Sequence, residues 1–272
     1  MKVLTRGKYY GSQEEEMFFN GVLLSRYDYT VSKTDWHYHE NPYFMFVLHG
    51  NMVDGNVRVK TPCPAGSLMF TNWQELHYGA KHSQQAVGFH VEFEKSWFKD
   101  SEIALVLPEG SRLIENPQIH FLFAKLYREF ILSDSYSQVS IEVLLVQIGE
   151  ALAAANRAND QSIPSWISRL KELLHDAPSD LSLKSLSDQL GVHPVHISRA
   201  VPKYLSTGLG TYIRQLKLKK AIPLLLNSKC SLTQVAHQSG FTDQSHFNRV
   251  FRFYFNINPG LYRKNLNKST EC

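Results

Sequence analysis

The sequence predicts a two-domain α+β chain: an N-terminal antiparallel β-barrel or jelly roll with supporting helices, then an all-α domain of two helix-turn-helix units joined by a long helix. Three observations carry this. Up to about residue 98, short alternating apolar segments are separated by Gly, Pro and Asp-Gly turns. Beyond residue 163, apolar residues recur at helical spacing, and one helix-glycine-helix plan occurs twice. Charge divides at the same place: residues 1–162 hold 14 Lys plus Arg against 19 Asp plus Glu, net −5, and residues 163–272 hold 15 against 6, net +9. At 272 residues the chain is long enough for two cores.

In the first half, Val22-Leu23-Leu24, Tyr43 to Leu48, Val57-Arg58-Val59, Ser67 to Phe70 and Ala86 to Phe93 read as strands. Asp54-Gly55 reads as a hairpin turn, and Pro62 with Pro64-Ala65-Gly66 as another reversal. His37-Tyr38-His39 with Gly50, then Pro64-Ala65-Gly66 and His77, resemble the two motifs of the cupin barrel. Alternation puts His37 and His39 on one strand face, and with His77 they would make three inward imidazoles, a set able to ligate a metal ion. The acidic ligand of the cupin pattern is missing, since Tyr43 or Phe44 stands where it would fall and Glu40 points to the opposite face. The expectation is therefore no metal and no cofactor. Trp36, His37, His39, Tyr43, Trp73 and His77 are the candidates to line a ligand pocket, with a plain structural role for the histidines as the alternative.

Two helices follow. Asn116-Pro117 supplies a cap and an N1 proline, and Ile119, Leu122, Phe123, Leu126 and Phe130 form one apolar face. Ile141, Leu144, Leu145, Ile148 and Leu152 form the second. Such helices either cover the barrel or support a dimer. The polar stretch Asn156 to Ser165 reads as a linker, which sets domains at 1–155 and 166–272 with 156–165 between them.

Ser231 to Arg263 reads as helix, tight turn, helix. Ser231 and Gln234 have capping-box spacing, Leu232, Val235 and Ala236 give the apolar stripe, and Gly240 ends the helix. Thr242 or Asp243 caps the next helix, whose Phe247, Val250 and Phe251 face inward and leave Gln244, Ser245, His246 and Arg249 outside. Ser182 to Tyr204 repeats the plan through Leu183, Leu186 and Leu190, then Gly191 and a helix opening at His193-Pro194. Thr211 to Asn227 reads as the connecting helix, roughly 25 Å long at about 1.5 Å per residue. Local pattern leaves two readings: a helical hairpin in a larger α domain, or a helix-turn-helix whose second helix enters the DNA major groove.

The residues that decide are spread over this half: Leu186, Leu190-Gly191-Val192, Ile197, Arg199, Gly208, Tyr212-Ile213, Leu218, Ala221 and Leu224-Leu225, then Gly240-Phe241, Asp243, Ser245, Phe247, Arg249, Phe251-Arg252, Pro259 and Tyr262-Arg263. From about Ile163 to Lys264 the chain thereby resembles the DNA-binding domain of the AraC/XylS transcription regulators. By position, the resemblance implies that Val195, Ser198 and Arg199 of the first unit and Gln244, Ser245, His246 and Arg249 of the second face double-stranded operator or promoter DNA. Lys219, in the basic run Lys217-Leu218-Lys219-Lys220, is expected on phosphate. The resemblance further implies an activator with a small-molecule effector in the N-terminal half, contact with RNA polymerase, and a homodimer. Three departures stand out. Pro202 removes a hydrogen bond to Ser198 and predicts a short or kinked first recognition helix, Pro223 threatens the connecting helix, and Asn256 replaces a glycine.

Cys63, Cys230 and Cys272 lack CxxC spacing and imply neither a disulfide framework nor a zinc finger. The first residues have no apolar signal core, and no run approaches the 18 or so apolar residues of a membrane span, so the expectation is a cytoplasmic protein with no membrane partner. No Ser-His-Asp or Cys-His nucleophile, P-loop or dinucleotide fingerprint is present. The rival to a regulator is a metal-dependent cupin enzyme with a helical appendage.

Overall fold

The computed structural model describes residues 2–73, 75–97, 110–159, 163–176, 182–226 and 230–267. The chain divides into two compact units, residues 1–115 with 122–149, and 116–121 with 150–272.

The first unit has eleven named strands in two sheets: β1 Lys2–Leu4, β2 Ser12–Phe19, β3 Val22–Asp28, β4 His37–His39, β5 Tyr43–His49, β6 Asn51–Asn56, β7 Lys60–Pro64, β8 Leu68–Thr71, β9 His77–Lys81, β10 Val87–Phe93 and β11 Arg112–Leu113. One sheet runs β1-β4-β9-β6-β7, the other β11-β8-β5-β10-β3-β2. Among the described residues no ladder joins the edge strands of the two sheets. This corrects the closed cupin-like barrel expected from the motifs: the architecture is an open two-sheet sandwich, whose edges are β1 and β7 in one sheet and β11 and β2 in the other.

The near-continuous apolar run of β5 follows from burial on both faces. Phe44 points to helix α1 (Pro117–Leu132), its ring 5.1 Å from that of Phe123. Tyr43, Met45 and Val47 point the other way and cluster with Met52 and Cys63 of the facing sheet. Strand β10 does the same, Phe89 meeting Phe130 of α1 at 5.2 Å while His90 turns to the space between the sheets. Asn116 Oδ1 accepts from the Gln118 N–H at 2.9 Å, so α1 starts with the expected cap. Its predicted face, Ile119, Leu122, Phe123, Leu126 and Phe130, is buried.

Two local expectations are corrected here. Asp54-Gly55 lies inside β6, and the reversal falls one step later at Val57-Arg58-Val59, which is turn and not strand. Asn56 Oδ1 accepts from both the Arg58 and Val59 N–H at 2.9 Å, giving the chain a side-chain substitute for turn hydrogen bonds. Gly55 can sit in the strand because the Tyr78 ring covers it: a Cβ there would come within 2.4 Å of Tyr78 Cε1. The second correction concerns helix α2, Ser137–Asn159, which continues through Asn156 into the stretch read as linker; residues 160–162 lie outside the described residues. Over Ser137–Asn156 its mean hydropathy reaches 1.4, long and apolar enough by composition to cross a membrane, contrary to the sequence expectation. Ile141, Leu144, Leu145, Ile148 and Leu152 are nonetheless buried in the protein.

The second unit is helical: α3 Ser165–Asp176, α4 Leu183–Leu190, α5 Pro194–Leu205, α6 Leu209–Leu226, α7 Leu232–Gln238, α8 Gln244–Phe255 and α9 Pro259–Asn267. Ile167, Leu170, Leu174, Leu186, Ile197, Val201, Leu205, Tyr212 and Leu216 form one core, joining α3 to the first helix-turn-helix and the start of α6. Phe247, Phe251, Phe255 and Tyr262 form the ring cluster of the second, with Phe251 and Phe255 stacked at 4.4 Å. Helix α5 runs through Pro202 to Leu205 and α6 through Pro223 to Leu226, so neither proline cuts its helix short as the sequence suggested. Val201 and Ile197 on one side, and Ile222 and Leu225 on the other, are buried, and that packing offsets the lost hydrogen bond.

Candidate nucleic-acid interface and buried histidine pocket

In the second helix-turn-helix, Ser231 Oγ accepts from the Gln234 N–H at 3.2 Å while Gln234 Oε1 accepts from the Ser231 N–H at 2.8 Å, the reciprocal cap the spacing predicts. Gly240, at φ 86°, turns the chain with a left-handed step that a side chain would oppose. Asp243, and not Thr242, caps α8, its Oδ1 accepting from the His246 N–H at 2.7 Å. That bond holds the exposed carboxyl below its ordinary pKa, so the cap is charged at the positive end of the helix. Asn256 takes φ 55° at the C-cap, filling the glycine role.

The predicted DNA-facing residues separate by exposure. Val195, Ser198 and Arg199 are exposed on α5, beginning directly after a His193-Pro194 start in which His193 Nδ1 accepts from the Val195 N–H at 3.3 Å. On α8, Ser245 and Arg249 are exposed, and Gln244 and His246 are half-buried. Gln244 Oε1 accepts from Thr233 Oγ1 of α7 at 2.6 Å, which ties α7 to α8. His246 Nδ1 lies 3.1 Å from Thr242 Oγ1 and its ring edge meets Phe241. Lys219 is half-buried, and its neighbours are held by the protein: Lys217 is buried over the Phe241 ring and Lys220 Nζ donates to the His175 carbonyl at 3.0 Å. The basic run is therefore less available to DNA than its charge suggests. Exposed Arg252, one turn beyond Arg249 on the side facing away from Phe251, is a cation that the position-by-position assignment passed over.

Between the two sheets lies a pocket of about 50 Å³. His37, His39, Tyr43 and His77 line it as expected. Trp36 and Trp73 do not: Trp36 precedes β4 by one residue, so alternation turns it away, 41% exposed with its ring against Tyr78, and Trp73 is 42% exposed beneath Lys95. Tyr9, Tyr10, Tyr29, Asp54 and His90 are added. His90 was legible, because His90 and Glu92 alternate with Phe89, Val91 and Phe93 on one strand, and polar residues at that period mark a second, polar-lined face. Tyr9 gave no such signal, since it lies outside any strand.

The three histidines are buried, at 2–3% exposure, and their ligand atoms lie within 4.8 Å of one another. His37 Nδ1 is 2.8 Å from the Asp35 carbonyl and His77 Nδ1 3.0 Å from that of Glu75. His77 Nε2 is 3.3 Å from Tyr43 Oη and 4.0 Å from Asp54 Oδ2. Burial, then the neighbouring His77, lowers the His37 pKa to about 4. Burial likewise lowers His39 and His77, and takes His90 to about 3. It raises Asp54 to about 7, with Glu75 adding to the effect. Glu92, also raised by burial, accepts from the Gly7 N–H and Tyr9 Oη at 3.0 Å and from Asn41 Nδ2 at 2.9 Å, and so anchors the N-terminal segment beside the pocket.

The family described as a helix-turn-helix domain matches residues 186–265. The activator RhaS of Escherichia coli is 28% identical over 144 residues, 52% of each chain. The activator Btr of Bacillus subtilis is 26% identical over 171 residues, 62% of this chain and 32% of Btr. This chain thus spans about half or less of the length of either relative. Among solved structures, ToxT of Vibrio cholerae O395 aligns over 91% of this chain and 99% of its own at 14% identity and a TM-score of 0.37. Two capped helix pairs around one connecting helix, with outward-facing polar residues on α5 and α8 and the family match across both, make the C-terminal region an AraC/XylS-type helix-turn-helix domain.

Proposed function

We propose that this chain is a sequence-specific DNA-binding transcription activator, with residues 166–272 reading double-stranded operator DNA and residues 1–155 sensing a small molecule. The observation that carries the reading is the exposed face of α8, where Ser245 and Arg249 stand clear of a core made by Phe247 and Phe251. Arginine pairs with guanine edges in the major groove, and serine donates to or accepts from either base. Arg199 and Ser198 on α5 supply a second reading face, and the net charge of +9 after residue 163 supplies attraction to phosphate. Polar positions of α5 and α8 would set operator choice, and half-buried Lys219 would add at most a phosphate contact.

The pocket formed by His37, His39, Tyr43 and His77 with Tyr9 and His90 is the effector site in this reading, a cupin-like function on an open sandwich. Contact with RNA polymerase and a cytoplasmic location accompany an activator role. A homodimer is supported by α2, on which Val139, Val143 and Val146 recur at helical spacing and are 63%, 50% and 37% exposed. Selection of random-sequence duplexes on the full-length chain at low salt tests the function. A recovered consensus is expected, and retention of DNA with no enrichment over a non-specific basic protein would refute it.

A further inference from the structure

We infer that His37, His39 and His77 bind a divalent transition-metal ion, with the Asp54 carboxylate as fourth donor. The inference deepens the effector-site reading above and rests on it only for the ion's place in regulation. It departs from the metal-free expectation drawn from the linear motif, because the fold brings in an acid that the motif does not contain.

Four features converge. First, the ligand atoms of three buried imidazoles lie within 4.8 Å of one another. Nitrogens bound to one tetrahedral zinc-like ion at about 2.0–2.1 Å each are about 3.4 Å apart, so side-chain adjustments of about 1 Å close the set. Second, two of the rings are oriented from behind. Each places Nδ1 on the backbone carbonyl two residues earlier, Asp35 for His37 and Glu75 for His77. In a neutral imidazole this fixes the proton on Nδ1 and leaves the Nε2 lone pair aimed into the pocket, the outer-shell arrangement that metal-binding histidines use. Packing alone does not require the same backbone anchor on both rings.

Third, the donors sit on paired strands. His37 of β4 is the register partner of His77 of β9, and β9 pairs in turn with β6, which carries Asp54 opposite Gly79. Three adjacent strands therefore hold the donors in fixed register. Fourth, Asp54 is 6% exposed, and its Oδ2 is 4.0 Å from His77 Nε2. Three nitrogens and one oxygen suit zinc, cobalt, nickel or copper and disfavour calcium and magnesium, which take oxygen ligands.

The test uses the full-length chain, freed of metal with a chelator and titrated with Co²⁺ and Zn²⁺. One equivalent per chain is expected, with visible Co²⁺ bands of nitrogen and oxygen ligation and no thiolate charge-transfer band. His37→Ala, His39→Ala and His77→Ala should abolish the bands, Asp54→Asn should weaken binding about 10- to 100-fold, and His82→Gln, outside the set, should leave it unchanged. His77→Gln provides a second variant if His77→Ala loses its far-ultraviolet circular dichroism. Zn²⁺ should raise the melting temperature of the wild-type chain and not of folded variants. Sub-stoichiometric uptake by the wild-type chain, or uptake indifferent to His77, overturns the site. DNA binding by the metal-free chain, measured in parallel, separates failure of this site from failure of the regulator reading.

Discussion

Arg249 and Lys219 carry the same charge, and under the proposed function they would meet DNA under different constraints. Arg249 is exposed one turn after Ser245 on α8, where in the proposed reading its guanidinium would reach a base edge. Arg249→Ala should cost about 1–3 kcal/mol on operator DNA and relax choice at one base pair, while Lys219→Ala should lower operator and random binding alike and flatten the salt dependence by about one counterion or less. Binding isotherms on both duplexes across a salt series read this directly; an unchanged operator-to-random ratio in Arg249→Ala would remove α8 as the principal reader. His90 makes a different kind of prediction. Its Nε2 lies 2.8 Å from Tyr29 Oη, and Tyr9, Tyr27 and Tyr43 pack around the ring. Folded, it takes a proton only near pH 3, while the unfolded chain takes one near 6.5. Between those values the unfolded state binds more protons, so stability falls as pH drops below about 6.5 and levels off below about 3. His37, His39 and His77 act with the same sign, whereas Asp54, raised to about 7, favours the folded state as pH falls from about 7 towards 4. Urea midpoints in chelator should therefore drop from pH 7 to pH 5, and less so in His90→Gln; an equal slope in the variant would mean that His90 titrates normally.

The bond from Thr233 to Gln244 ties α7 to α8, so that Gln244, a base reader under the proposed function, is oriented by the helix behind it. Thr233→Val keeps the shape and removes the donor of this exposed pair, and it should broaden base choice at the Gln244 position with a stability change within about 0.5 kcal/mol, visible as selectivity lost at nearly constant melting temperature. Elements such as these were legible in the sequence because their signals are local: a cap at Ser231, a turn at Gly240, apolar spacing at Phe247, Val250 and Phe251. Strand β2 was not, since Glu14, Glu15 and Glu16 mask its alternation, although Asn20-Gly21 after it, both at positive φ, is a two-residue hairpin turn. Asp54-Gly55 misled in the opposite sense, because a turn-forming pair can sit in a strand when a ring such as Tyr78 covers the glycine. The pocket was half legible. Period-two spacing gave His37 and His39 and could have given His90, but Tyr9 and Asp54 reach it through tertiary contacts that no local pattern encodes.

For the molecule as a whole, residues 163–272 contain a nine-residue core from Ile167 to Leu216 and the ring cluster around Phe251. Expressed alone, this fragment should fold cooperatively and bind DNA at low salt, and loss of helical circular dichroism would show that it depends on the first half. Val143→Glu places charge on the exposed stripe of α2 and should shift the sedimentation profile towards a single chain without lowering the stability by more than about 0.5 kcal/mol. An unchanged profile at micromolar concentration would exclude that stripe as a dimer contact. The strand pairings carry one more consequence, in time. Lys2 meets His37, Val22 meets Phe93, and His37 meets His77, so the histidine pocket exists only after loops of many tens of residues have closed. The helix pairs of the second half join sequence neighbours, and local contacts form orders of magnitude sooner than distant ones. On the proposed function, a chain recovering from denaturation should regain its helix-turn-helix surface first and its histidine pocket last, and in that interval it would occupy DNA without being able to respond to an effector.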